Sequence, residues 1–373
     1  MHNRLFPSHR LAASSEADDM DKHERLHHIE SFALTRHEQS QSPLFSVLPA
    51  EIRDMIYAHT FAEYEDLENP YPFNTCYRRP GCFGPRKSDT ALLRTCQAIY
   101  NDCWYVPWIL AQQVFFLAWE RRSPKKTMNA YEPEEIIRLV EKLHPNTPAR
   151  RKEIASIQIF AQLLELEDRE ALTEILRVEQ IRPRSVTITV RHTDIWSWES
   201  DVPISMHLSD WVWDCRFPTS VANICFQLES LERKKEQVDS IIAQIRQGWY
   251  FTRTDGVHLA PSVACPASET WTGSSTWDDE RWIRDEDDRE PGKIRYYIAS
   301  LCFTPADMTD VEGRTGREER AKLGGLDVPQ EVVDRTPAIR HQPPLYVGDM
   351  ERASTTSDTP ASEALRMVQQ SNR

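Results

Sequence analysis

The chain has 373 residues, of which 28% are charged and 40% hydrophobic, and it carries a net charge of −13. That excess of carboxylates argues against a protein that grips a phosphate backbone. The mean hydropathy of −0.59 implies that part of the chain does not pack, while the length allows one large domain or two.

Eight cysteines are scattered without a pairing pattern. Cys96, Cys103, Cys225 and Cys302 sit inside apolar segments, where a thiol behaves as a small hydrophobe. The sequence shows no N-terminal apolar run and no N-x-[ST] acceptor. These features point to a reducing compartment, cytoplasmic and/or nuclear. The most apolar window, 104–119, is interrupted by Pro107, Gln112 and Gln113 and is too short to span a bilayer.

Residues 1–42 are polar, with little periodicity, and are expected to be disordered. They contain His23-Glu24-Arg25-Leu26-His27, which fits H-E-x-x-H, but no apolar frame surrounds it, and a zinc site is not expected there. The first periodic stretch is 43–61. Pro49 suits a first helical position, Glu51 suits the helix dipole, and Ile52, Met55, Ile56 and His59 fall at helical spacing. Leu44, Phe45 and Leu48 precede it as a candidate staple. Such a short amphipathic helix needs support.

Between about 62 and 87 the chain is rich in Pro, Tyr and charge. Its Cys76 and Cys82 lack the C-x2-C spacing of a zinc knuckle, and a basic surface loop is expected. A second helix is expected over 91–105, capped by Ser88 and Asp89, with Leu92, Cys96, Ile99, Tyr100 and Cys103 on one face.

Leu48-Pro49-Ala50-Glu51-Ile52-Arg53-Asp54-Met55-Ile56-Tyr57 and Leu92-Leu93-Arg94-Thr95-Cys96-Gln97-Ala98-Ile99-Tyr100 resemble the F-box-like start of a large group of poorly characterised fungal proteins. There L-P-x-E-I-R-x-x-I-Y is followed by L-L-R-T-C-x-x-I-Y. True F-boxes are short helical modules that dock on the Skp adaptor of a cullin–RING ubiquitin ligase. The resemblance implies a protein partner, that adaptor in its stronger form, touching Leu48, Pro49, Ile52 and Ile56. The segment between the two helices is far longer here than in true F-boxes.

Further on, 113–119 is ambiguous between strand and helix end, 133–143 reads as a helix, and 154–164 as a strand. The stretch 168–178 looks helical; 185–190 (SVTITV) is the clearest strand, and 221–228 is another. A long helix is expected over 229–247, stopped by Gly248. A strand over 249–254 leads into a Gly-Ser-Thr-Pro-rich connection, and 294–303 closes the ordered part. Alternating strands and helices suggest βα units around a mixed sheet, with a leucine-rich solenoid as the alternative. From Pro305 onward the composition suggests a disordered tail, in which Thr359-Pro360-Ala361-Ser362-Glu363 has the form of a phosphodegron.

The tryptophans form two groups. One lies in Arg191-His192-Thr193-Asp194-Ile195-Trp196-Ser197-Trp198-Glu199. The other joins Trp271-Thr272-Gly273-Ser274-Ser275-Thr276-Trp277 to Arg281-Trp282-Ile283-Arg284-Asp285-Glu286. Both resemble segments of the same fungal group. Arg191, His192, Asp194, Trp196, Trp198, Trp271, Trp277, Arg281, Trp282 and Arg284 are therefore pocket candidates. His192 beside Asp194 also reads as a base and its orienter, with Ser274 or Ser275 as nucleophile, but no G-x-S-x-G elbow is present. The bland alternative is that the tryptophans pack the sheet while the charged residues pair around them. The acidic run 277–290 reads as a solvated loop, and neither a dinucleotide fingerprint nor a P-loop occurs.

The expected fold class is α+β: an N-terminal F-box-like helical layer packed on a mixed α/β sheet domain, with disordered N- and C-terminal tails. The expected divisions are 1–42, 43–120, 121–304 and 305–373. The expected role is an intracellular protein-interaction protein, in its stronger form a substrate-recruiting adaptor. The competing classes are a small-molecule binder or enzyme with a Trp/Arg/His pocket, and a purely structural domain. No catalytic residue, metal, cofactor, nucleic acid or membrane partner is expected. An adaptor must leave Leu48, Ile52 and Ile56 partly exposed, whereas a single-domain enzyme would bury them.

Overall fold

The computed structural model describes residues 39–118, 122–124, 153–178, 182–206, 210–287, 289–306, 325–337, 339 and 342–372. The expected helix over 133–143 and the H-E-x-x-H segment lie outside the described residues. The fold is α+β, as expected. The chain divides into two compact units, Met1–Phe61 with Asp89–Val106, and Ala62–Ser88 with Pro107–Arg373. The expected division 43–120 runs across these two units. Its long insertion and its last strand belong with the sheet, to which they are hydrogen-bonded and ion-paired.

In the smaller unit, α1 (Ala50–Thr60) starts directly after Pro49, with Glu51 in its first turn. The single helix expected over 91–105 is two pieces, a 3₁₀ turn Ala91–Arg94 and α2 (Gln97–Cys103), separated by extended backbone at Cys96. Thr95 explains the break. Its N–H and its hydroxyl both donate to the Leu92 carbonyl (3.2 and 2.7 Å), the acceptor that a continuing helix would need for Cys96. Asp89 accepts from the Ala91 N–H at 2.8 Å and fixes where the turn begins.

The larger unit is built from β1 (Gln112–Leu117), β2 (Glu153–Ala161), α3 (Leu163–Asp168), α4 (Glu170–Arg177), β3 (Arg182–Val190), α5 (Asp210–Asp214), β4 (Arg216–Phe217), β5 (Asn223–Leu231), α6 (Lys235–Gly248), β6 (Phe251–Arg253), β7 (His258–Ser274) and β8 (Lys293–Pro305). The strands form one eight-stranded sheet in the order β1-β2-β3-β5-β8-β7-β6-β4. β1, β2, β3 and β5 run parallel, and β8 and β7 join antiparallel. One mixed sheet replaces the solenoid alternative.

Because side chains alternate across a strand, the sheet has two chemically different faces. One face carries the register row Phe115–Ile159–Ile188–Phe226–Leu301, all essentially inaccessible. Leu166 of α3, Ile175 of α4, Trp211 of α5 and Ile241 of α6 share this core. Each such side chain contributes roughly 1.5–3 kcal/mol by leaving water. The next row, Phe116–Phe160–Thr189–Gln227–Ser300–Ala267, lies on the opposite face and turns polar toward the sheet centre.

Three expectations are corrected in this unit. The helix expected from residue 229 starts at Lys235, since β5 continues to Leu231 and places Glu229 on the sheet. The Pro-rich connection is the seventeen-residue strand β7. Its pairing register with β8 shifts between Pro261 and Pro266, and β6 covers only its first two residues, so its prolines sit at a bulge and along a free edge. The tail expected to be disordered is folded over 325–337 and 345–371. It forms α7 (Gln330–Arg335), α8 (Val347–Arg352) and α9 (Ala361–Ser371) and two short paired strands. Ala361, Ala364 and Val368 on one face of α9 pack with Ile283, Leu345 and Met350. The phosphodegron-like Thr359 sits in this folded region, its carbonyl held by Arg281 at 2.7 Å.

Candidate functional site

Three places carry residues with chemistry to offer: the outer face of α1, the tryptophan clusters, and a cleft on the polar face of the sheet.

In the smaller unit, α1 is held by one side. Tyr57 is buried and donates to Asp102 Oδ2 at 2.9 Å; Arg53 Nε donates to the same oxygen at 3.1 Å. Burial first, and then the Asp102 carboxylate, push the Tyr57 phenol above its ordinary pKa, so it stays a donor. Arg53 also reaches the Leu48 carbonyl at 3.0 Å, which fixes the chain entering the helix. The apolar stripe faces out, the arrangement an adaptor requires of Ile52 and Ile56. Ile52, Met55 and Ile56 are 41%, 58% and 36% exposed, and Val47 is 71% exposed. Pro49 is exposed and Leu48 half-buried.

In the larger unit the two tryptophan groups meet. Trp198 lies 4.4 Å from Trp282 and 5.7 Å from Trp277 by ring centroids, and His192 lies 5.5 Å from Trp198. Trp198, Trp277 and Trp282 are buried with Leu231, Ile294 and Tyr296 as a second core. Trp271 stacks on Tyr296 at 4.6 Å, and Gly273 is required beside them: a Cβ there would fall 2.6 Å from a Trp271 ring carbon and 2.9 Å from Tyr296. Trp196 stands apart, half exposed, by a shallow 300 Å³ pocket it shares with Arg122 and Thr193.

The arginines among the pocket candidates are internally matched. Arg191 Nη2 donates to Asp194 Oδ1 at 3.1 Å, Arg281 binds both Glu286 oxygens at 2.8 and 2.7 Å, and Arg284 pairs with Asp285 at 2.9 Å and with the Trp198 carbonyl at 2.8 Å. The acidic run is thus corrected from a solvated loop to a supplier of buried partners. Asp278 and Asp279, both with positive φ, form the two-residue turn between the short strands Thr276–Trp277 and Glu280–Arg281.

The base-and-orienter reading is also corrected. Asp194 is engaged by Arg191, while His192 Nδ1 contacts Ser230 Oγ at 3.4 Å. Burial, then Lys234, Arg284 and Arg233, hold the His192 pKa well below its ordinary value, so the ring is neutral. Ser275 donates to Glu286, and Ser274 to Asn74 and the Thr276 carbonyl. Neither serine has a histidine beside it among these contacts.

Apart from Trp271 and Cys82, the third place rests on residues that the sequence reading did not single out. The insertion 62–88 lies along the polar sheet face and encloses a cleft of about 670 Å³ with it. Arg79 and Cys82 exchange backbone hydrogen bonds (3.3 and 2.8 Å) around Pro80 and Gly81, whose φ of +73° needs glycine. This Pro-Gly turn carries Arg79 inward. Its Nη2 bonds Glu229 Oε2 at 3.0 Å, an oxygen that also accepts from Trp271 Nε1 at 3.0 Å. The guanidinium lies 5.7 Å from the Phe160 ring and 5.9 Å from Trp271. Burial raises the thiols of Cys76 and Cys82, the latter to about 11, and no group of side chains that could hold a metal ion occurs among the described residues. The signal for this face was present in the sequence, as polar Thr187, Thr189, Cys225, Gln227 and Glu229 alternate with apolar neighbours along β3 and β5.

No helix among the described residues is long and apolar enough to cross a membrane. No protein-family model, curated protein or solved structure matches the chain.

Proposed function

We propose that this chain is a protein-interaction protein whose two-helix unit docks a partner in the manner of an F-box, on the Skp adaptor of a cullin–RING ubiquitin ligase. The sheet unit would then hold the target, and the protein would work where such ligases do, in the cytoplasm or nucleus. The observation that carries this reading is the outward apolar stripe of α1. Ile52, Met55 and Ile56, at i, i+3 and i+4, are exposed, while Tyr57 and Arg53 anchor the helix to Asp102. An apolar stripe on a braced helix is the feature used in helix-in-groove recognition. Leu48 and Pro49 lead into it and would complete the contact.

The enzyme reading has less support, because the tryptophans and arginines proposed for its pocket fill each other's space and His192 is engaged elsewhere. The test is co-expression of the full chain with the Skp adaptor, followed by size-exclusion chromatography, beside Ile52→Asp/Ile56→Asp. Both substitutions are at exposed positions, so the variant should keep the wild-type melting temperature. The expected result is co-elution of the wild type, lost in the variant. A wild-type chain that elutes alone refutes the adaptor reading.

A further inference from the structure

The cleft on the polar sheet face carries an inference independent of the docking helix. Its floor is a directed chain of hydrogen bonds. Gln158 Nε2 donates to Thr189 Oγ1 at 2.9 Å, Thr189 donates to Gln227 Oε1 at 2.7 Å, and Gln227 Nε2 donates to Ser300 Oγ at 3.2 Å. Those roles fix the capacity left over. Gln158 Oε1 remains an acceptor, while the Ser300 proton and the second N–H of each amide remain donors. Arg79 supplies another donor. Its side chain is only 7% exposed, its Nη2 is spent on Glu229, and its Nη1 is buried without a hydrogen-bond partner. A buried guanidinium nitrogen is costly to leave unpaired, so the polar groups of this wall are not all matched from within.

The charges decide what kind of acceptor. Glu63 pairs with Arg86 at 3.0 Å and Arg79 with Glu229, which leaves Glu269, exposed at the cleft's edge and without an ion pair among the described residues. The site is therefore net negative by that one carboxylate. A phosphate or carboxylate ligand would meet Glu269, while both arginines of the lining are already paired. An uncharged ligand rich in hydroxyls meets no such penalty, and a carboxylate accepts well from hydroxyl groups. Trp271, Phe116 and Phe160 are among the apolar residues of the wall. The volume falls within the roughly 300–1,000 Å³ of small-molecule sites.

We propose that this cleft binds a neutral carbohydrate. Its hydroxyls would lie on Gln158, Gln227, Ser300 and Glu269, with Trp271 in the wall beside them.

The test applies the full chain to an array of neutral mono- to tetrasaccharides. The best-retained sugar is then titrated calorimetrically against the wild type, Glu269→Gln and Ser300→Ala. Glu269 is exposed and holds nothing else, so Glu269→Gln should melt as the wild type does. The expected result is retention of a neutral glycan, with affinity lowered roughly tenfold in each variant, as for one lost hydrogen bond to a charged or directed partner. Retention of no neutral glycan overturns the proposal. So does an affinity that both variants leave unchanged, or retention only of sialylated or phosphorylated glycans added as controls. Ile52→Asp/Ile56→Asp should bind the same glycan as the wild type, so this proposal and the adaptor reading fail separately.

Discussion

Arg281 is the side chain whose removal should cost the larger unit most. It is completely buried and makes four hydrogen bonds: two to Glu286, one to the Thr356 carbonyl at 3.0 Å and one to the Thr359 carbonyl at 2.7 Å. Arg281→Ala removes all four at once. It also leaves the Glu286 carboxylate, 0% exposed, with only the Ser275 hydroxyl and the Gly292 N–H at 3.1 Å. Breaking a buried ion pair from one side costs about 3–5 kcal/mol, against a total stability of about 5–15 kcal/mol for a typical domain. The double variant Arg281→Met/Glu286→Leu removes both charges and keeps much of the volume, so it should recover at least half of that loss.

Two assays separate the parts. Urea unfolding followed by tryptophan fluorescence reads the global cost. Hydrogen exchange reads the C-terminal segment, whose carbonyls at 356 and 359 lose their donor in both variants. The amides of α9 should therefore exchange faster in the double variant even after stability has recovered. A single-variant cost under about 1 kcal/mol, with α9 protection unchanged, would refute the reasoning.

His192 predicts a pH dependence. Burial, then Lys234, Arg284 and Arg233, lower its pKa in the folded chain, with Asp201 opposing. A folded pKa below the unfolded one means that stability is full above about pH 6.5 and is lost as pH falls below it, by up to about 1.4 kcal/mol per pH unit. His192→Gln should flatten that part of the curve in urea melts between about pH 7.5 and 5.5; an unaltered slope would clear His192 of the effect. Gly273→Ala should cost about 1–3 kcal/mol, because its new methyl would press on both Trp271 and Tyr296. An unchanged melting temperature and near-ultraviolet circular dichroism would show that the stack tolerates it.

The parts of the fold that follow hydrophobic period were legible. SVTITV is the centre of β3, the stripe of Val238, Ile242 and Ile245 lies on α6, and β8 covers the apolar run 294–303. What escaped was decided by contacts distant in sequence. β7 reads as a loop because its prolines suggest one, and only a bulge and a free edge make them acceptable. α9 reads as a tail because its packing side chains are two alanines and a valine, too small to stand out in a polar composition. The stripe of α1 has the expected period, while its orientation was left open by the sequence. Period shows that residues share a face, and the hydrogen bonds of Tyr57 and Arg53 to Asp102 decide which face turns in.

Charge was the most misleading signal, and the reason is structural. Arg79–Glu229, Arg191–Asp194 and Arg281–Glu286 all have side chains at most 7% exposed. Each fastens a stretch of chain that would otherwise be loose: the insertion 62–88, the loop after β3, and the segment 356–359 through the Arg281 carbonyl bonds. Bidentate or multiply bonded guanidiniums suit this role because they hold both position and angle, which an apolar contact does not. The cost is desolvation of both charges, so these pairs contribute more to one arrangement of the loops than to net stability. Two of the three are local in sequence, Arg191 with Asp194 at i+3 and Arg281 with Glu286 at i+5, so R-H-T-D and R-W-I-R-D-E are intelligible as self-contained clamps. Arg79 is the exception. Its carboxylate lies on a strand 150 residues later by numbering, from Arg79 to Glu229, and its second nitrogen has no partner. A clamp needs only the first of those bonds. The buried nitrogen left without a hydrogen-bond partner is what separates Arg79 from the other two.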